Sequence, residues 1–170
     1  MLNAKMNAAL NDQIGMEGYA SFVYLAISTW CDQKGMAGAA SFFRRQSEEE
    51  NMHMLKIVDY ILEMDGTVDV PGIEKPKGQY DNIIQVFEHT LEHEKKVTQS
   101  IHKLVDLALE TNDHATHNFL QWYVEEQREE ETLIRTILDK INLIGDGPMS
   151  GYYIDKEVEA INAVEAQNQG

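Results

Sequence analysis

Residues 43–64 read FRRQSEEENMHMLKIVDYILEM, and the spacing within this stretch decides the fold. Phe43, Gln46, Glu50, His53, Ile57, Tyr60 and Met64 recur in alternating steps of three and four. Such steps place them all on one face of an α-helix, toward a partner helix. A glutamate and a histidine three residues apart interrupt this apolar seam at its middle. An unpaired charge inside a helix bundle is very costly, so the carboxylate there is protonated, paired or bound to a cation.

Three further stretches repeat the pattern. Met6, Leu10, Gln13, Glu17, Ala20, Tyr24, Ile27 and Cys31 form one seam; Ile83, Phe87, Thr90, Glu94, Val97, Ile101 and Leu104 form another. Leu120, Tyr123, Gln127, Glu130, Ile134, Ile137 and Ile141 form the last. Turn signals at Lys34-Gly35, Asp65-Gly66, Asn112-Asp113 and Gly145–Gly151 predict α1 over 3–32, α2 over 37–64, α3 over 80–110, α4 over 114–144 and a short α5 over 153–166. Residues 65–79 carry Pro71, Pro76, Gly72, Gly78 and β-branched side chains, which predicts an extended connector.

Connector length then sets the topology. The α1–α2 and α3–α4 links are short, so each pair is an antiparallel hairpin. A helix of about 28 residues is roughly 42 Å long. About 15 extended residues span roughly 50 Å, enough to cross the bundle and start α3 parallel to α2. The expectation is a single all-α domain over 1–170, a four-helix bundle with one long crossover and a fifth C-terminal helix. Counted from each turn, Glu17, Glu50, Glu94, Gln127 and Glu130 fall at one height near mid-bundle. Together with His53 they read as a dinuclear metal site.

The bulk numbers fit this. A chain of 170 residues with 43% hydrophobic content forms a sizeable core. The formal net charge of −15 argues against a nucleic-acid partner and suits one that attracts cations. Cys31 is the lone cysteine, which excludes an internal disulfide and points to a reducing compartment and a packing role. The first twenty residues do not read as a signal peptide, and no apolar run suggests a membrane span, so the expected location is cytoplasmic.

Each residue type has its chemistry. Glu17 reads as a terminal carboxylate ligand, while Glu50 and His53 bind one ion or bridge two. Glu94 and Glu130 serve a second ion. Hard carboxylate oxygens with one imidazole favour iron or manganese. Two readings stand for Tyr24, as a hydrogen-bond partner or one-electron donor to the site, or as a buried phenol that has found an acceptor. Gln127 either bonds an oxygen species or water at the second ion or is structural. Glu49, Glu126 and Glu129 form either a third, exit-side ion site or a solvated acidic face. Trp122 either relays an electron or packs. His89, His93 and His102 lie off the α3 seam and read as solvent-exposed. Asp113, His114 and His117 cluster at the α3–α4 corner, as a cap or as part of an ion path. Asn51 follows Glu50 where a haem-ligating methionine would stand, so no haem is expected.

The order Glu17, Tyr24, Glu50-x-x-His53, Glu94, Gln127-x-x-Glu130, with Glu49, Glu126 and Glu129 beside it, resembles the non-haem bacterial ferritins over essentially the whole chain. The second Glu-x-x-His of bacterioferritins and di-iron oxygenases is replaced here by Gln127-x-x-Glu130. The resemblance implies an iron-storing ferroxidase. Two Fe(II) ions are oxidised by dioxygen or hydrogen peroxide, and ferric mineral collects inside a hollow homo-oligomer of 24 subunits. It also implies that Asp113, His114, His117 and Leu120 stand near threefold pores. Two other classes remain open, a di-iron redox enzyme acting on a small molecule and a metal-free helical interaction module with protonated interior glutamates.

Overall fold

The computed structural model describes residues 2–168. Five helices follow in order, α1 (Ala4–Gln33), α2 (Ala37–Glu63), α3 (Ile83–Glu110), α4 (His114–Ile144) and α5 (Ser150–Asn168). No strand occurs among the described residues. Every seam position is buried except Met64, which is half-buried at the end of α2. The apolar core is split into two clusters. One runs from Ala20 and Tyr24 to Phe43, Phe87 and Ile137 and the other from Leu10 to Ile57, Ile101 and Tyr123. The polar seam residues lie between them.

Pairings along the helices give the topology. Gln13 meets Ser100, Tyr24 meets Glu94, and Trp30 meets Tyr80, so α1 and α3 run antiparallel. Gln46 meets Glu130, His53 meets Tyr123, and Tyr60 meets Thr116, so α2 and α4 do too. With both hairpins folded back, α3 starts parallel to α2, as the long connector requires. The architecture is an all-α four-helix bundle with one crossover and a short fifth helix.

Local chemistry sets the helix ends. Asn3, Asn82 and Asp113 accept hydrogen bonds from the backbone N–H of Met6, Gln85 and Thr116 at 2.8, 2.9 and 3.0 Å. Asn82 is in an extended conformation, which is why α3 begins at Ile83 and not at 80. The capping role read for Asp113 is seen in this bond to Thr116. The predicted α5 is too short, because the helix starts at Ser150.

The crossover lies along the outer face of α1. Asn7 and Asn11 clasp Thr67 and Asp69 through side-chain bonds of 2.6–3.0 Å. Further along, Gly18 lets Ile73 approach so closely that a Cβ there would stand 2.9 Å from Ile73 Cδ1. At the other end of the bundle α5 packs on α2 and α4. The first turn of α2 lacks a cap of its own, and Asp155 of α5 supplies one, its two oxygens accepting from Gly38 N at 3.2 Å and Ala39 N at 2.8 Å. A Cβ on Gly38 would lie 2.4 Å from the Asp155 carbonyl oxygen.

Gly38→Ala therefore displaces α5. The expected result is a stability loss of about 1–3 kcal/mol and faster amide exchange confined to α5, read by hydrogen–deuterium exchange; unchanged exchange there would contradict the packing described.

Candidate metal centre

Four helices deliver the polar seam residues to one level. Glu17 comes from α1, Glu50 and His53 from α2, Glu94 from α3, and Gln127 and Glu130 from α4, and all six are buried. Among the described residues, one group draws its ligand atoms within 4.8 Å of one another, namely Glu17, Glu50 and His53. His53 Nδ1 stands 3.3 Å from Glu50 Oε2. The tyrosine at 123 donates to the His53 backbone carbonyl at 2.7 Å and fixes the turn of α2 that carries it.

Glu94 and Glu130 are not drawn into that group. Neutral donors hold them instead. Tyr24 O–H donates to Glu94 Oε1, and the Gln127 amide donates to Glu94 Oε2 at 3.0 Å. Gln46 Nε2 donates to Glu130 Oε2 at 2.8 Å. A third amide acts on the other half, where Gln13 Nε2 donates to Glu17 Oε1 at 2.8 Å and Gln13 Oε1 accepts from the Ser100 hydroxyl at 2.6 Å. Each amide steadies one carboxylate oxygen without adding charge. Glu17 and Glu50 hydrogen-bond each other through their carboxyl groups, while Gln46 Oε1 is buried with no hydrogen-bond partner, an arrangement that costs free energy until something fills it.

Electrostatics point the same way. Burial pushes Glu17 up from 4.5 to about 7 and holds Glu94 above its ordinary value. Glu50 and Glu130 lie well above theirs, through burial and then the neighbouring Glu94. Burial also pulls His53 down to about 4, leaving a neutral imidazole with a lone pair to offer. Burial thus favours the protonated form of each carboxyl group and the neutral form of the imidazole.

The flanking residues divide. Glu49 is buried and Glu126 half-buried, and both raise the pKa of Glu130. Glu126 Oε1 comes within 4.0 Å of His53 Nε2. Glu129 is exposed, near Arg128, and its charge acts on Glu126. Trp122 is 39% exposed and stands edge-on to His53 at 5.3 Å, with Lys56 over its ring at 4.4 Å. Cys31 is buried, its thiol pushed up to about 12 by that burial. The exposure expected of the α3 histidines holds only for His102. His93 is held between Tyr19 and Tyr24, edge-on to each at 5.9 and 6.0 Å, and burial lowers it to about 4. His89 is half-buried beside Tyr80, whose hydroxyl lies 3.1 Å from its Nδ1. Both are covered because α1 and the end of the crossover pack over that side of α3. The roles of Gln13, Gln46 and Tyr123 went unread in the sequence, although all three occupy seam positions.

A four-helix bundle with one long crossover, a short fifth helix and a buried carboxylate–imidazole layer defines the class of ferritin-like helix bundles. Within that class the chain belongs to the ferritin family, since residues 7–144 match the ferritin-like domain. It is 40% identical over 161 residues to the bacterial non-heme ferritin of Campylobacter jejuni, covering 95% of this chain and 96% of that one. The identity is 38% over 162 residues to the bacterial non-heme ferritin of Escherichia coli O157:H7, with 95% and 98% covered. The open pore ferritin of Archaeoglobus fulgidus superposes with a TM-score of 0.90 at 40% identity, over 93% of this chain and 96% of that one.

The raised carboxyl groups fix the sign of a pH effect. Between the ordinary value near 4.5 and about 7, the folded metal-free protein holds a proton on Glu17 that the unfolded chain has lost. Stability is therefore full below that window and falls as pH rises through it, by about 3 kcal/mol from this one group. Glu50, Glu94 and Glu130 act in the same direction. Denaturant titrations of metal-free protein between pH 5 and pH 7.5 are expected to show this decline, and Glu17→Gln is expected to flatten it. Stability that rises over the same range would contradict the assignment.

Proposed function

We propose that this chain stores iron and acts as a ferroxidase. Fe(II) binds as substrate at a pair of sites within one subunit, is oxidised to Fe(III), and moves on to a mineral held inside a hollow assembly of 24 identical subunits. The convergence of Glu17, Glu50 and neutral His53 in a buried, proton-loaded pocket carries this reading. The likeness to bacterial non-heme ferritins over nearly the whole chain supports it.

In this reading Glu17 and His53 hold the first ion, and Glu50 bridges to the second. Glu94 and Glu130 swing from their amide donors to complete the second position. Gln127 stays neutral beside it. Carboxylate oxygens favour Fe(III) over Fe(II), so the ligand set itself promotes oxidation. Each Fe(II) gives up one electron. A pair thus reduces one dioxygen to hydrogen peroxide with two protons, or one hydrogen peroxide to two waters with two protons. Tyr24, on Glu94, steadies that carboxylate and stands where a further electron could be drawn from the protein. The second ion, held without a second imidazole, leaves more readily, toward Glu49, Glu126 and Glu129 as a transient third site. No haem enters this scheme. Among the described residues no helix is long and apolar enough to cross a membrane.

Aerobic Fe(II) loading of metal-free protein, followed by size-exclusion chromatography, tests the reading. Iron far in excess of two ions per chain, co-eluting with one large particle, is expected. Saturation at two ions per chain in a small particle would instead mark a di-iron redox enzyme. Glu94→Ala and Glu130→Ala should each slow oxidation at least about tenfold, the scale of a disrupted metal ligand set, with assembly intact.

A further inference from the structure

A groove of about 580 Å³ runs between α4 and α5 and reaches Glu130 at its floor. Glu126, Glu129 and Arg45 line one side, and Glu157, Ile161 and Val164 of α5 the other. Arg45 sits where the groove meets the outer carboxylates. Its Nη1 donates to Glu49 Oε1 at 2.5 Å, with the two side chains only 16% and 6% exposed. Its Nε donates to Asn162 Oδ1 of α5 at 2.7 Å, and Asn162 Nδ2 donates in turn to Ser41 at 3.3 Å. The guanidinium thus joins Glu49 to α5. Glu49 in turn lies close enough to Glu126 and Glu130 for its charge to act on both.

A guanidinium and a metal cation cannot share the same carboxylate oxygen without strong mutual repulsion at contact distance. An ion leaving Glu130 by way of the groove meets Glu49 with its Oε1 already held by Arg45. We propose that Arg45 is a built-in competitor for the outer carboxylates. A cation takes Glu49 Oε1 only when the Arg45 head group leaves it, and that departure also breaks the tie to Asn162. Occupancy of the outer layer and docking of α5 are therefore linked, and the linkage is reciprocal. This inference rests on the storage reading, since it specifies how the exit-side layer is kept open to passing ions and closed to resident ones.

The test uses the intact assembled protein and Zn(II), which binds without redox chemistry, in calorimetric titrations. Arg45→Gln keeps an amide but removes the charge. It is expected to tighten the outer class of ions about tenfold, within the usual range for coupled sites, and to leave the paired class unchanged in stoichiometry and affinity. Arg45→Lys, which restores the charge, should return the outer class toward the parent value. In the parent protein, saturating Zn(II) should speed amide exchange over residues 157–165, and in the glutamine variant that response should vanish. An outer class of equal affinity in parent and Arg45→Gln overturns the proposal. If Arg45→Gln fails to assemble, Asn162→Ala cuts only the α5 tie. It should tighten the outer class by a smaller factor, and no change there overturns the proposal equally. Loss of the paired class in the parent itself would overturn the storage reading and this inference with it, a result distinct from an unaltered outer class alone.

Discussion

Four carboxyl groups stand at one level inside the helix bundle, and the rest of the structure is arranged around the cost of keeping them there. Ionising such groups forfeits the solvation that water would give them, so burial favours their protonated forms. The upward shifts of Glu17, Glu50, Glu94 and Glu130 express this. The apolar clusters above and below supply the burial. A leucine or isoleucine at any of these seam positions would pack at less cost. Stability given up at one layer is a common signature of a working site.

The layer is not symmetric. One half, Glu17, Glu50 and His53, is already convergent, while Glu94 and Glu130 are turned onto the amides of Gln127 and Gln46. Amides suit this holding role because they donate to a carboxylate without neutralising it and release it without a proton transfer. In the storage reading this gives a first position ready for an ion and a second that must be completed by two side-chain movements. A site that turns over its ions benefits from such a weaker half, whereas a resident cofactor would call for two firm ones.

Much of this was legible in the sequence, for physical reasons that can be named. Steps of three and four mark a buried helix face directly, so the seams carried the helices, the facing and the polar layer together. Turn residues with special backbone needs marked the breaks, and Asp65 and Asn112 indeed adopt positive φ of 56° and 53°. Less visible were contacts set by tertiary placement. Gln13 and Gln46 sat on the seams, but which carboxylate each would serve depends on side-chain reach within and across helices. His93, one residue before Glu94, reads as exposed on helix geometry alone, and becomes half-buried because Tyr19 and Tyr24 close over it. The Asn7, Asn11 and Gly18 track for the crossover follows no apolar period. Arg45 carries no signal in the helix period, because its partner Asn162 lies more than a hundred residues away on α5.

Proton release on metal binding tests the central claim most directly. Anaerobic Fe(II) is titrated into metal-free protein by calorimetry in buffers of differing ionisation enthalpy, at pH 6 and again at pH 8. If the interior carboxyl groups are held neutral by burial, each ion bound at the pair displaces protons into the buffer at pH 6, and fewer at pH 8 where Glu17 has already ionised. Binding at the pair without proton release at pH 6 would mean the carboxylates are charged in the metal-free bundle, and would contradict the account.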